Sequence, residues 1–130
     1  MKTLILLRHA KTNKAEPDQS DFDRTLHEKG LQQISLLKKY FDISYGQTSL
    51  MVLCSSAKRT RSTLNGIESA LTISEKVFEP ALYLASLEVL LDCINQQTTS
   101  EDTLLLIGHN EGLSDLASYL GNDRIHMSTG

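Results

Sequence analysis

LILLRHAKT, residues 4–12, is the stretch whose reading decides the fold. Leu4 to Leu7 form an unbroken apolar run, the pattern of a strand covered on both faces, as in a parallel sheet. Arg8 and His9 follow at once. Burying a guanidinium and an imidazole there without partners would cost several kcal/mol (~), so the pair must face a cleft or a ligand. In open α/β sheets ligands lie outside the carboxyl ends of the strands, and this is where Arg8 and His9 fall.

Two more apolar runs repeat the theme. LMVLC at 50–54 delivers Ser55 and Ser56 to its carboxyl end, and TLLLIGHNEG at 103–112 carries Leu104 to Ile107 into Gly108 and His109. Segments of helical period lie between them. Residues 11–23 (KTNKAEPDQSDFD) are polar, include Pro17 and read as a loop. It is long for a compact domain and is a candidate wall of a site. A helix is expected from near His27, with Thr25 and Glu28 in capping-box spacing and Leu31, Ile34, Leu37 and Phe41 on one face. Tyr45-Gly46-Gln47 is a turn. AKRTRSTLNGIESAL, from Ala57, is a helix with Lys58, Arg59 and Arg61 in its first turn. Cations there oppose the helix dipole. The conflict disappears if an anion sits at that end, held by free N–H groups and arginine side chains.

Residues 75–79 (EKVFE) are expected as a short third strand, and the segment after Pro80 turns helical near Ser86. A last helix runs from about Ser114, as a serine cap, to Leu120 before Gly121. Alternating strands and helices predict a three-layer α/β/α architecture with a mostly parallel central sheet.

The chain of 130 residues is expected to be one domain, 1–130. Its net charge of −3 offers no basic surface for nucleic acid. Cys54 and Cys93 read as buried thiols in a reducing compartment. The apolar run after Lys2 is too short for a signal peptide or a membrane span. The expectation is a cytoplasmic protein with neither nucleic acid nor membrane as partner.

If the three strands are neighbours, Arg8, His9, Arg59 and His109 converge. A lone strand-end histidine is usually a structural hydrogen-bonding residue, and Arg59 alone would be a solvated charge. Together they suit a phosphoryl group, because arginine forks match phosphate oxygens. A neutral imidazole beside such cations is a competent nucleophile, and a second one can stabilise charge on an equatorial oxygen. No cofactor is implied, and the neighbours are arginines rather than metal ligands. His27 and His126 lack such company and read as a cap or surface residue and a tail residue.

RHA at 8–10, SSAKRTRST at 55–63 and GHN at 108–110 resemble the histidine phosphatase superfamily, also called the phosphoglycerate mutase-like family. DFDRTLHEKG at 21–30, LYLAS at 82–86 and GHNEGLSDLASYL at 108–120 resemble its small SixA-type phosphohistidine phosphatases. The resemblance implies that His9 is the transiently phosphorylated nucleophile, Arg8 and Arg59 bind phosphate, and His109 is the second pocket histidine. Arg24, implied as a third substrate-binding residue, matches an arginine usually followed by Pro-Leu-Thr, where this chain has Thr25-Leu26-His27. Relatives continue past the Met-Ser-Thr region with a further strand, so the C-terminal strand region is expected to be short or missing, with an open sheet edge able to pair with another chain.

Ester-cleaving members of the superfamily use a carboxylic acid near the leaving oxygen. Asp21 and Glu88 are the candidates here, neither placed unambiguously. A phosphoramidate that releases neutral imidazole, with a conjugate-acid pKa of roughly 6.5, needs less acid catalysis than an alkoxide. The first expectation is therefore a metal-independent phosphatase for phosphohistidine in phosphotransfer or signalling proteins. Alternatives are a phosphatase for small phosphate esters and a non-catalytic module that binds phosphorylated partners.

Overall fold

The structure, a computed structural model, describes residues 3–121. Four parallel strands stand in the order β1-β4-β2-β3, with β1 at Thr3–Arg8, β2 at Ser49–Ser55, β3 at Thr72–Glu79 and β4 at Thr103–Gly108. The connecting helices are α1 (Glu28–Tyr45), α2 (Lys58–Ile67), α3 (Leu87–Asn95) and α4 (Gly112–Gly121). The architecture is the expected α/β sheet between helical layers.

Strand side chains alternate between two cores. Leu50, Val52, Cys54, Leu105 and Ile107 pack on one face with Ile34 and Phe41 of α1 and Leu64 and Ile67 of α2. Met51, Leu53, Leu104 and Leu106 pack on the other with Leu90 of α3 and Leu113 and Leu116 of α4. Burial on both faces explains why β2 and β4 carry apolar runs without alternation. The register aligns Leu7 with Ile107, Arg8 with Gly108, and Cys54 with Ile107. Thus β1, β4 and β2 end side by side. Both cysteines are buried free thiols, and burial pushes Cys54 up to about 12, which leaves it unreactive.

Several local expectations are corrected. The strand expected at 75–79 runs over Thr72–Glu79, because it pairs with β2 along its length through a register shift at Leu50/Met51. The cap of α1 is His27, whose Nδ1 accepts from the Lys29 N–H at 3.0 Å, while Thr25 accepts from the Asn13 side chain. Leu31 is exposed, since Gly30 takes the inward position: a Cβ there would stand 2.2 Å from the Lys11 carbonyl oxygen. Helix α2 gives way to a 3-10 turn at Glu68–Ala70. Ser114 lies inside α4 instead of capping it, and both its N–H and its hydroxyl are bonded to Asn110 Oδ1. Helix α3 starts next to Ser86 as expected, and Ser86 is its cap, accepting from the Val89 N–H. The tail reading of His126 and the expectation of a short or missing C-terminal strand concern residues outside those described.

Candidate active site

The ends of β1, β2 and β4 open on a cleft of about 370 Å³ lined by Arg8, His9, Arg59, His109, Asp21 and Arg24, among others. Two other surface clefts, of about 360 and 430 Å³, contain no histidine, so chemistry rather than size singles this one out.

His9 is held from both sides. Its N–H donates to the Gly108 carbonyl at 3.1 Å, which ties it to β4. The Ala10 N–H donates to Thr63 Oγ1 at 3.0 Å, which ties the same segment to α2. His9 Nδ1 lies 2.8 Å from the Ala10 carbonyl oxygen. A carbonyl only accepts, so Nδ1 carries the proton and Nε2 keeps its lone pair. Burial, and then the charges of Arg59, Arg8 and Arg24, lower the His9 pKa to about 4 despite the opposing Ala10 bond. The ring is neutral at pH 7.

His109 faces it, with ring centroids 5.4 Å apart. Its Nε2 is 2.7 Å from Ser55 Oγ, at the end of β2, and its Nδ1 is buried without a hydrogen-bond partner among the described residues. Burial and Arg59 hold its pKa down at about 3, so it too is neutral. The apolar runs thus present imidazoles from β1 and β4 and the serine that orients one of them from β2.

Of the three cations at the start of α2, only Arg59 enters the cleft. It is 2% exposed, whereas Lys58 is exposed and Arg61 lines a separate groove. The Arg59 side chain is met by an anion within the chain, Asp21. Arg59 donates through Nη1 to the Asp21 carbonyl at 2.7 Å and through Nη2 to Asp21 Oδ2 at 3.1 Å. Arg24 donates to Asp21 Oδ1, to the Asn13 carbonyl and to Thr12 Oγ1. It pins the loop at 11–23, which walls the cleft as expected, and its donors are largely committed. Arg8 is half-buried; burial lowers its pKa, Glu111 opposes that, and Arg59 adds to it.

The two proton-donor candidates fare differently. Asp21 lies in the cleft, but the Tyr83 hydroxyl, Arg24 and Arg59 hold its carboxyl down at about 2, against the opposing effect of burial. It is an anion at neutral pH and has no proton to give. Glu88 is exposed in the first turn of α3 and does not line the cleft, where it complements the helix dipole.

Sequence reasoning missed Tyr83. Its hydroxyl donates to Asp21 Oδ2, its ring meets the edge of His109 at 5.4 Å and Phe22 at 5.1 Å, and Arg59 lies 5.5 Å from its centroid. The only signal was its place just after the third strand, in LYLAS. Lys11, Thr12, Leu84 and Asn110 also line the cleft; all lie within the stretches LILLRHAKT, LYLAS and GHN, where nothing in the pattern sets them apart.

Comparison with known proteins gives a consistent result. Residues 4–83 match the model of the histidine phosphatase superfamily (branch 1). An uncharacterized chloroplastic protein of Arabidopsis thaliana is 30% identical over 98% of this chain, and an uncharacterized protein of Mycobacterium tuberculosis is 33% identical over 89%. The chain spans 63% and 70% of their respective lengths. The crystal structure of a protein provisionally described as the phosphohistidine phosphatase SixA of Agrobacterium tumefaciens superposes with a TM-score of 0.81 at 29% identity, over 92% of this chain and 77% of that one.

Proposed function

The chain belongs to the histidine phosphatase superfamily, branch 1, and from that premise we propose that it removes the phosphoryl group from phosphohistidine in proteins through a phospho-His9 intermediate. The observation that carries this reading is the commitment of His9 Nδ1 to the Ala10 carbonyl, which makes Nε2 a neutral nucleophile in a cleft lined by arginines. The likeness to the SixA-type structure supports it.

The phosphoryl oxygens are held by Arg8 and Arg59. A unit charge pair at about 4 Å is worth roughly 4 kcal/mol at an effective dielectric near 20. His9 Nε2 attacks phosphorus, forming one N–P bond as the substrate's N–P bond breaks. The electron pair passes to the substrate ring, whose distal nitrogen has taken a proton from solvent, so the ring departs as neutral imidazole. With Ser55 donating to His109 Nε2, His109 Nδ1–H is free to stabilise an equatorial oxygen. Water then attacks the phospho-His9 phosphorus. Because Nδ1 already carries its proton, His9 also leaves as a neutral imidazole, and phosphate is released. Nucleophile and leaving group are the same chemical species, so the transfer is close to balanced.

Arg24 lends charge and fixes the loop. Guanidinium groups, poor metal ligands, do the charge stabilisation, so the reaction is read as metal-independent. No described helix is long and apolar enough to cross a membrane, and the free thiols suit a reducing cytoplasm.

The reading is tested by comparing kcat/KM on a phosphohistidine peptide with that on an alkyl phosphate. With the cleft's carboxylate ionised, the phosphoramidate should be faster by at least about a hundredfold, the low end of what general acid catalysis supplies. A faster alkyl ester would favour a small-ester phosphatase instead, and tight phosphate binding with no turnover would favour a binding module.

A further inference from the structure

Leu84 is the one apolar side chain that lines the cleft among the described residues. It is 55% exposed, and its backbone has a φ of 49°, in the left-handed region that is unfavourable for a residue with a Cβ. Core packing does not explain its placement, because its neighbours do that work: Leu82 and Ala85 are buried on either side at 1% and 9% exposure. The segment has little room to relax. A Cβ on Gly112, at the start of α4, would stand 2.0 Å from the Ala85 carbonyl oxygen, so that helix closes against the turn. Tyr83, immediately before it, is anchored to Asp21 and to the edge of the His109 ring. A strained backbone, clamped on both sides, therefore holds an isobutyl group in the mouth of a cleft otherwise lined by charge and hydrogen-bonding groups.

We infer that Leu84 is a specificity-determining residue: it forms the apolar wall against which the leaving group lies, selecting flat, weakly polar rings over polyols. A ring loses nothing by contact with a leucine, whereas a sugar hydroxyl pressed against it forfeits its hydrogen bond to water. The inference rests on the reading of this cleft as a phosphoryl-transfer site and deepens it by naming the leaving-group class.

The test is Leu84→Gly, which suits the left-handed backbone and so preserves the fold, with Leu84→Met as the conservative control. Two matched pairs of substrates are compared: phosphoimidazole with phosphoramidate, and phenyl phosphate with glycerol phosphate. Within whichever pair is cleaved, the ratio of kcat/KM for the ring-bearing over the ringless substrate should fall about tenfold in the glycine variant and recover in the methionine variant. An unchanged ratio, or an equal loss on both members of a pair, overturns the proposal. Cleavage of phenyl phosphate with none of phosphoimidazole would sink the phosphohistidine reading alone, leaving Leu84 to be judged on the ester pair. Cleavage of no substrate would sink both.

Discussion

His9 is committed at one nitrogen and open at the other, and its titration should report that. A ring with a pKa of about 4 in the free protein loses nucleophilicity only as pH falls through that value, well below the usual imidazole value of about 6.5. The acidic limb of kcat/KM, corrected for ionisation of the substrate, should therefore lie near pH 4; a limb near 6.5 would show that the arginines and burial do not act on His9 as described. Asp21 gives an opposite kind of test. It is an anion paired with Arg59, which the proposed function also assigns to the incoming phosphate, so Asp21→Asn should tighten inorganic phosphate binding several-fold, roughly 1 kcal/mol for one screened charge. Arg59 keeps its bond to the residue 21 carbonyl in that variant. A general acid would behave otherwise, with ester hydrolysis falling by about a hundredfold or more. The convergence of Arg8, His9, Arg59 and His109 could be read from the sequence because they lie at two strand ends and one helix start; singly, each has an ordinary structural reading. The ionised state of Asp21 and the posture of Leu84 could not, since both depend on Tyr83 and on backbone torsion, which local pattern does not encode.

At the level of elements, the buried strands were legible because burial on both faces removes alternation and leaves runs such as Leu104 to Ile107. Helix ends were less so. The starts of α1 and α4 lie against close tertiary approaches, of Lys11 to Gly30 and of Ala85 to Gly112, which spacing rules do not see. Gly112→Ala shows how strongly. In an isolated helix the change would stabilise by roughly 0.5–1 kcal/mol. Here the added carbon collides with the Ala85 carbonyl, so a net loss of about 1–3 kcal/mol is expected from urea unfolding. A neutral or stabilising result would mean that the turn carrying Leu84 is free to move away from α4.

For the whole molecule, the same buried histidines that equip the cleft should weaken the fold in acid. Folded pKa values of about 4 for His9 and about 3 for His109 lie below the unfolded value of about 6.5. Below pH 6.5 the unfolded chain therefore binds protons that the folded chain refuses, and stability falls by up to about 1.4 kcal/mol per pH unit for each histidine. The stabilisation from Asp21, present above its unfolded pKa, is lost only as pH drops from 3.8 towards about 2. Urea midpoints should thus decline steadily from pH 6.5 to 4.5, and His9→Gln should remove about half of that slope.

The account's central claim, that His9 Nε2 takes the phosphoryl group, is tested most directly by quenching the protein in alkali during turnover of a phosphohistidine substrate and mapping the bound phosphate by mass spectrometry. Acid-labile, alkali-stable phosphate on the peptide containing His9, absent from His9→Ala, is the expected result. Labelling on any other residue, or steady turnover by the alanine variant, would contradict it.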